Sequence, residues 1–337
     1  MGTVEVSIHD SQWPSRWQRA LGACLRNRTV DARFHYESPA QTAAWLALHE
    51  SHSPARLDPA VAKIYPDAVS RCLARGPRPA RLASLGCGGG QKDIEALRAS
   101  GASAYAAIDA SPGMVIEALD RVRAALPAVT ARGLVADLHA TGDIASWLGE
   151  TLPRHEPTLW LGFGIVPNLP APEIPHLLGS LLRQSDDALL LGANLIPGRD
   201  PEAEMAAILP QYDNQPTRRW LALLPGSLGI PAAPADLQFS LLAPDNGRPW
   251  RVAVELPIRL DCRVPLPGES ITLAAGESLT LFVSNRFTPD DIASLAGMAG
   301  LRIAASMIAP SEEEGVFEIR SAGPPTAFGL RRPDSPR

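Results

Sequence analysis

The chain has only four cysteines in 337 residues, Cys24, Cys72, Cys87 and Cys262, and no two of them form a C-x-x-C pair. That spacing argues against a disulfide framework and for a reducing compartment. No apolar stretch approaches the ~20 residues needed to cross a bilayer. The N-terminus alternates polar and apolar residues and lacks the apolar core of about 7–15 residues of a secretory signal. Val6 stands where a myristoylation signal needs Ser or Thr. A cytoplasmic protein is expected. The formal net charge of −5 includes no long run of one sign, so neither duplex nucleic acid nor an anionic membrane is expected as a partner. A G-x-S-x-G elbow is missing, which disfavours a serine hydrolase. His35, His49 and His52 lack metal-ligand spacing, and no metal is expected.

Aromatic residues are sparse, with seven Phe and four Tyr, whereas proline is abundant at 33. Prolines concentrate in 153–175, 197–267 and 324–336, which marks loop-rich connections around a more regular body. The segment 323–337 is expected to be a flexible tail. With 45% hydrophobic residues, the chain can bury the core of one large domain or two ordinary ones.

Between about 80 and 195, strand-like apolar runs alternate with helical patterns. Strands are expected at 81–85, 105–109, 133–136, 158–163 and 188–193. Helices are expected after Asp93 and after Ser111, an N-cap followed by Pro112. Nearly continuous apolar strands imply a parallel sheet covered on both faces. The alternation stops after Asn194. A helix at about 201–223, proline-rich loops and a strand at 251–256 follow. It resumes with a helix capped by Thr288, with Pro289 and Asp291 in its first turn, and strands at 302–308 and 315–320.

The principal motif is Leu85-Gly86-Cys87-Gly88-Gly89-Gly90 between the first strand and its helix. Glycines there allow a sharp turn and close approach of a ligand to the helix N-terminus. The third glycine of a dinucleotide fingerprint would fall on Gln91, so the loop reads G-x-G-x-G, typical of S-adenosylmethionine (SAM) sites. Asp109 ends the second strand 19 residues after Gly90, where a carboxylate can accept both ribose hydroxyls. Asp137 follows the third strand, where it can accept the adenine amino group. Each feature alone also suits an ordinary turn or cap; together they mark three successive strand ends, where open α/β sheets bind ligands. Asn168 follows the next strand and suits either a turn or an acceptor contact. Tyr212 and Asp213 stand beside apolar Ile208 and Leu209, as a half-buried surface pair or as site residues.

These motifs resemble the histidine-specific, SAM-dependent N-α-methyltransferases of ergothioneine biosynthesis, from about 80 to 320 and more weakly from 33 to 54. The family loop L-G-S-G-T-x-x-K-T is L-G-C-G-G-G-Q-K-D here, keeping Lys92, and its two acids match Asp109 and Asp137. Its head-group asparagine resembles Asn168, in a loop one residue longer. The family's L-L-G-V-D-L is similar to Leu190–Leu195, and its A-Y-N-D, with another head-group tyrosine, to Gln211-Tyr212-Asp213-Asn214. In the family's T-E-x-S-x-K-F/Y, the Glu and Ser hold the imidazole. Here Ser284 remains and Phe282 replaces the Glu, with Glu277 close enough in sequence to reach the same space. The E-Y-Y-P-T segment is Glu50-Ser51-His52-Ser53-Pro54, without either tyrosine.

The resemblance implies a class I SAM-methyltransferase Rossmann-like α/β sheet with an inserted α+β substrate-binding domain. Residues 61–199 and 285–322 would bind SAM, through Gly86, Gly88, Gly90, Lys92, Asp109 and Asp137. Residues 1–60 and 200–284 would cap the acceptor. The expected reaction methylates a small molecule, with Asn168 and Tyr212 orienting the amine of an amino acid or relative and Tyr212 aiding deprotonation. Phe282 and Ser284 would shape the side-chain pocket. Rival readings are an O- or S-methyltransferase, a SAM-binding subunit without turnover, and an NAD-dependent oxidoreductase, the last disfavoured by Gln91.

Overall fold

The computed structural model describes residues 5–138, 141–151 and 156–322; the expected tail lies outside them. The chain runs β1 (Glu5–Ile8), α1 (Pro14–Arg26), α2 (Pro39–His52), α3 (Pro54–Leu57), α4 (Pro59–Arg75), β2 (Arg81–Leu85), α5 (Gln91–Ser100), β3 (Ala104–Asp109), α6 (Pro112–Ala125), β4 (Thr130–Val135) and α7 (Thr141–Thr151). It continues through β5 (Thr158–Phe163), α8 (Ile174–Leu181), β6 (Ala188–Asn194), α9 (Pro201–Tyr212), α10 (Gln215–Ser227), β7 (Gln238–Leu242) and β8 (Trp250–Pro257). The last elements are β9 (Cys262–Leu266), β10 (Glu269–Leu273), β11 (Ser278–Arg286), α11 (Pro289–Met298), β12 (Leu301–Ile308) and β13 (Glu314–Ser321).

The apolar runs form one eight-stranded sheet in the order β1-β4-β3-β2-β5-β6-β13-β12. From β1 to β6 all neighbours are parallel, and β13 enters antiparallel between β6 and β12. Because β3 and β4 wind to one side of β2 and β5 to the other, the strand order reverses at β2/β5. A crevice opens there at the strand C-termini. Both faces are covered, as the continuous apolar strands require. Trp160, Leu191 and Phe317 pack under α7, α8 and α11. Tyr105, Val135 and Leu161 pack under α4, α5 and α6. The caps read from sequence are present: Ser111 Oγ accepts from the Met114 amide, and Thr288 and Asp291 form a reciprocal capping box.

A second sheet, β7-β8-β11, is antiparallel, and β9 and β10 form a separate ribbon. The N-terminal helix α1 and Phe34 share an apolar cluster with Trp220, Leu256, Leu281 and Phe282. Residues 14–36 thus pack with the inserted region, while Glu5–Ile8 pairs at the edge of the large sheet. The helix expected over about 201–223 is two helices. Asn214 leaves helical geometry, caps Thr217 N at 2.9 Å and starts α10, with Pro216 in its first turn. The break leaves Tyr212 as the last residue of α9.

Arg33 reaches from the N-terminal segment to Asp137, Nη1 to Oδ2 at 2.7 Å, with both side chains about nine-tenths buried. Removing one partner of such a pair strands the other charge in a poor solvent. Arg33→Ala should therefore cost roughly 3 kcal/mol of stability, measured by urea unfolding. A loss under about 0.5 kcal/mol, the level of an exposed pair, would contradict this account.

Candidate active site

A cleft of about 1060 Å³ runs from the glycine loop to β11. Ligand sites span about 300–1,000 Å³, so it has room for two small molecules. At one end, the loop after β2 turns through consecutive glycines with positive φ, from Gly88 (51°) to Gly90 (74°). A Cβ on Gly86 would stand 2.4 Å from Ile165 Cγ2, and one on Gly90 3.0 Å from the Ala118 backbone. The loop can thus take this path, seated against α6 and the segment after β5, only with glycine.

Asp109 ties this edge together. Its Oδ1 accepts from Ser111 N at 2.9 Å and its Oδ2 faces Gly88 N at 3.5 Å. Burial raises its carboxyl to about 6, opposed by the backbone amides of Ser111, Gly88 and Ala110. Asp137 also lines the cleft, paired with Arg33, and its amide donates to Ser11 Oγ at 3.0 Å. Lys92 lies with Nζ 3.4 Å from the centroid of Tyr65 and makes no ion pair among the described residues. Burial, reinforced by Arg56, lowers it to about 7. Three features fit a cofactor with a ribose and a carboxylate: a loop that a Cβ would obstruct, a carboxylate edge and an ammonium without a counter-ion.

At the other end, Tyr212 Oη stands 3.0 Å from Ser284 Oγ and accepts from Asn194 Nδ2 at 3.3 Å. Asn168 lies in a short 3-10 turn after β5, lining the cleft with no side-chain hydrogen bond among the described residues. Asn285 Nδ2 donates to Leu169 O at 2.7 Å, tying that turn to β11. Strand β11 carries a bulge at Leu281, between the pairs Thr280–Glu255 and Phe282–Val254. His35 Nε2 donates to the bulged Leu281 carbonyl at 2.6 Å. The bulge puts Leu281 and Phe282 into the same apolar cluster. Phe282 packs edge-on against Trp220, centroids 5.7 Å apart, and Trp220 meets Tyr36 at 5.3 Å.

Gly86, Gly88, Lys92, Asp109, Asp137, Asn168, Tyr212, Phe282 and Ser284, expected from sequence to bind cofactor or acceptor, line this one cleft, and Gly90 seats the loop behind it. Glu277 does not reach it: Arg28 holds it by two hydrogen bonds of 3.0 Å at the turn before β11. Asp213 is turned out to Arg218 at 2.5 Å. The three histidines diverge. His35 is buried and lowered to about 4 by desolvation, His49 stacks on Trp45, and His52 pairs with Ser51. Tyr36, Trp45, Trp220, Asn194 and Glu314 were not singled out from sequence and also line the cleft. Asn194 carried a usable signal, since it ends a parallel strand as Asp109 does.

Solved structures similar to this chain are distant. A SAM-dependent methyltransferase from Clostridium acetobutylicum is 11% identical, aligned over 83% of this chain and 98% of that one, with a TM-score of 0.47. Magnesium protoporphyrin IX methyltransferase from Synechocystis, solved with SAM bound, is 13% identical over 86% and 95%, with a TM-score of 0.46. No curated protein gives a significant match. Among the described residues, no helix is long and apolar enough to cross a membrane. The model of the histidine-specific, SAM-dependent methyltransferases matches residues 63–321. This chain, built on a class I SAM-methyltransferase sheet, belongs to that family and is a SAM-dependent methyltransferase.

Proposed function

We propose that the protein methylates the amine of an amino acid or a related small metabolite. The observation that carries this reading is the Asn194–Tyr212–Ser284 junction, which lies in the same cleft as the glycine loop and Asp109. Residues 61–199 and 285–322 hold the cofactor in this reading, and residues 1–60 and 200–284 enclose the acceptor, apart from Glu5–Ile8 at the sheet edge. Gly86, Gly88 and Gly90 let the backbone approach the cofactor, Asp109 accepts its ribose hydroxyls and Asp137 its adenine amine. Lys92 meets its carboxylate, an anion that would restore the charge lost to burial.

When bound, SAM supplies an electrophilic methyl group on a sulfonium. The protein's part is to hold the acceptor nitrogen in line and keep water out. Asn168 and Tyr212 orient the acceptor head group, and Ser284 fixes the Tyr212 hydroxyl. Phe282 and Trp220 offer an apolar wall to the rest of the acceptor. An imidazole N–H directed at Phe282 would find no acceptor, at a cost of about 1–3 kcal/mol, so an aromatic or apolar side chain suits this wall better than histidine.

On the acid side, SAM affinity should fall as pH drops through about 6, where Asp109 takes up a proton, by up to about tenfold per unit for one linked proton. Calorimetry on Asp109→Asn should find affinity weakened about 10- to 150-fold and that pH dependence gone; an unaltered pH dependence would assign it to another group, such as Asp93. Mass spectrometry of amino acids, amines, alcohols and thiols incubated with SAM should find a methylated amine, with histidine not preferred. Phe282→Glu should raise the kcat/KM for histidine relative to phenylalanine. Wild-type preference for histidine would refute the pocket reading, and methylation only at oxygen or sulfur would refute the amine.

A further inference from the structure

Glu314 opens β13, opposite Asn194 of β6 in the sheet register. Both residues line the cleft. Because β13 runs antiparallel to β6, its first residue lies at the same edge as the C-termini of the parallel strands. Tyr65 of α4 donates its hydroxyl to Glu314 Oε1. Oε2 makes no hydrogen bond or ion pair among the described residues, and the side chain is only half-buried.

Apart from Tyr65, none of the charged and polar groups around it bonds to it among the described residues. Lys92 of α5 sits over the Tyr65 ring. Arg286 of β11 donates to the Leu195 and Glu313 carbonyls, lies 4.0 Å from the Glu313 carboxylate and stacks over Tyr212. Gln211 of α9 bonds the Glu313 carboxylate at 2.9 Å. Asn194 is neutral and donates to Tyr212. A carboxylate without a cation therefore faces the cavity beside the head-group junction. Such a group is costly unless a cation joins it. Burial has pushed it up to about 7.

We propose that Glu314 receives the acceptor's ammonium group and takes the proton that this group must lose before methylation. The inference rests on the amine reading above. An ammonium N–H bond breaks, the proton moves to Oε2 and the electron pair stays on nitrogen. That pair then forms the N–C bond to the methyl group as the C–S bond breaks, and sulfur keeps its electrons in S-adenosylhomocysteine. The methylated ammonium carries the positive charge away, and Glu314 returns its proton to solvent. A carboxylate raised toward neutral pH suits this task better than an ordinary one, because a base works best near its operating pH.

The test compares the wild type with Glu314→Gln, both checked for cooperative unfolding. The probes are L-phenylalanine, L-tyrosine, L-tryptophan and L-histidine, and the deaminated analogue of whichever is turned over best. Glu314→Gln should leave the SAM dissociation constant within about twofold. With S-adenosylhomocysteine present, it should weaken amino-acid binding by about tenfold or more and spare the deaminated analogue. At saturating SAM, kcat/KM should fall about 100-fold or more. The rise in wild-type kcat/KM as pH climbs through about 7 should vanish. Tyr65→Phe removes a bond that favours the ionised form, so it should keep that rise and move it to higher pH. Unchanged amino-acid affinity and pH profile in Glu314→Gln, with an active wild type, would overturn the role of Glu314 alone. Loss of SAM binding would place Glu314 at the cofactor and overturn it as well. A wild type that methylates none of the four amines would bring down the amine reading and this inference with it.

Discussion

The junction of Asn194, Tyr212 and Ser284 is the interaction on which the site depends. Asn194 comes from the end of β6 in the large sheet, Tyr212 from α9 and Ser284 from β11. Two hydroxyls and an amide thus lock the inserted region to the sheet where the cleft ends. The backbone continues the join: Phe287 N donates to Asn194 O at 2.9 Å, and Ile196 N to Phe287 O at 3.0 Å. Each contributes modestly, but together they fix the distance between the glycine loop and the far wall. Methyl transfer is sensitive to that distance, because misplacement of a reacting atom by an ångström is costly.

The far wall is set by a device of the strand rather than by composition. The bulge at Leu281 disrupts the pairing of β11 with β8, and His35 donates to the Leu281 carbonyl. Desolvation keeps that imidazole neutral over the physiological range, so its Nε2–H remains available as donor. Phe282 is directed onto Trp220 while Ser284, two residues on, reaches Tyr212. Phe282 thus stands in a wall of aromatic rings, with Tyr36 next to Trp220.

Most of the parallel sheet was legible in the sequence. Its strands are continuous apolar runs, its helices carry Ser111 and Thr288 caps, and its ligand edge is marked by glycines and by acids at strand ends. The break between α9 and α10 was harder to read, since apolar residues keep helical spacing across it and only Asn214 and Pro216 signal a new start. Tyr36 and Trp220 were hidden for a different reason: their partners are far off in sequence, so nothing local distinguishes them from core aromatics. Glu314 carried no such signal, because the acids that mark this edge of a parallel strand stand at its C-terminus. In an antiparallel strand the same edge is reached by the N-terminus, which only the topology reveals. Arg33 was invisible as the partner of Asp137, since a contact over that separation leaves no local pattern.

The central claim is that cofactor and acceptor occupy opposite ends of one cleft, divided between the glycine loop and the Asn194–Tyr212–Ser284 junction. Hydrogen–deuterium exchange tests it directly, with the free protein compared against the SAM-bound protein and the ternary complex of S-adenosylhomocysteine and a turned-over amino acid. The account predicts that SAM slows exchange in 86–92 and 109–115, and that the amino acid adds protection in 166–170, 211–217 and 282–287. Protection by SAM centred on 282–287, or by the amino acid at segments away from the cleft, would contradict it.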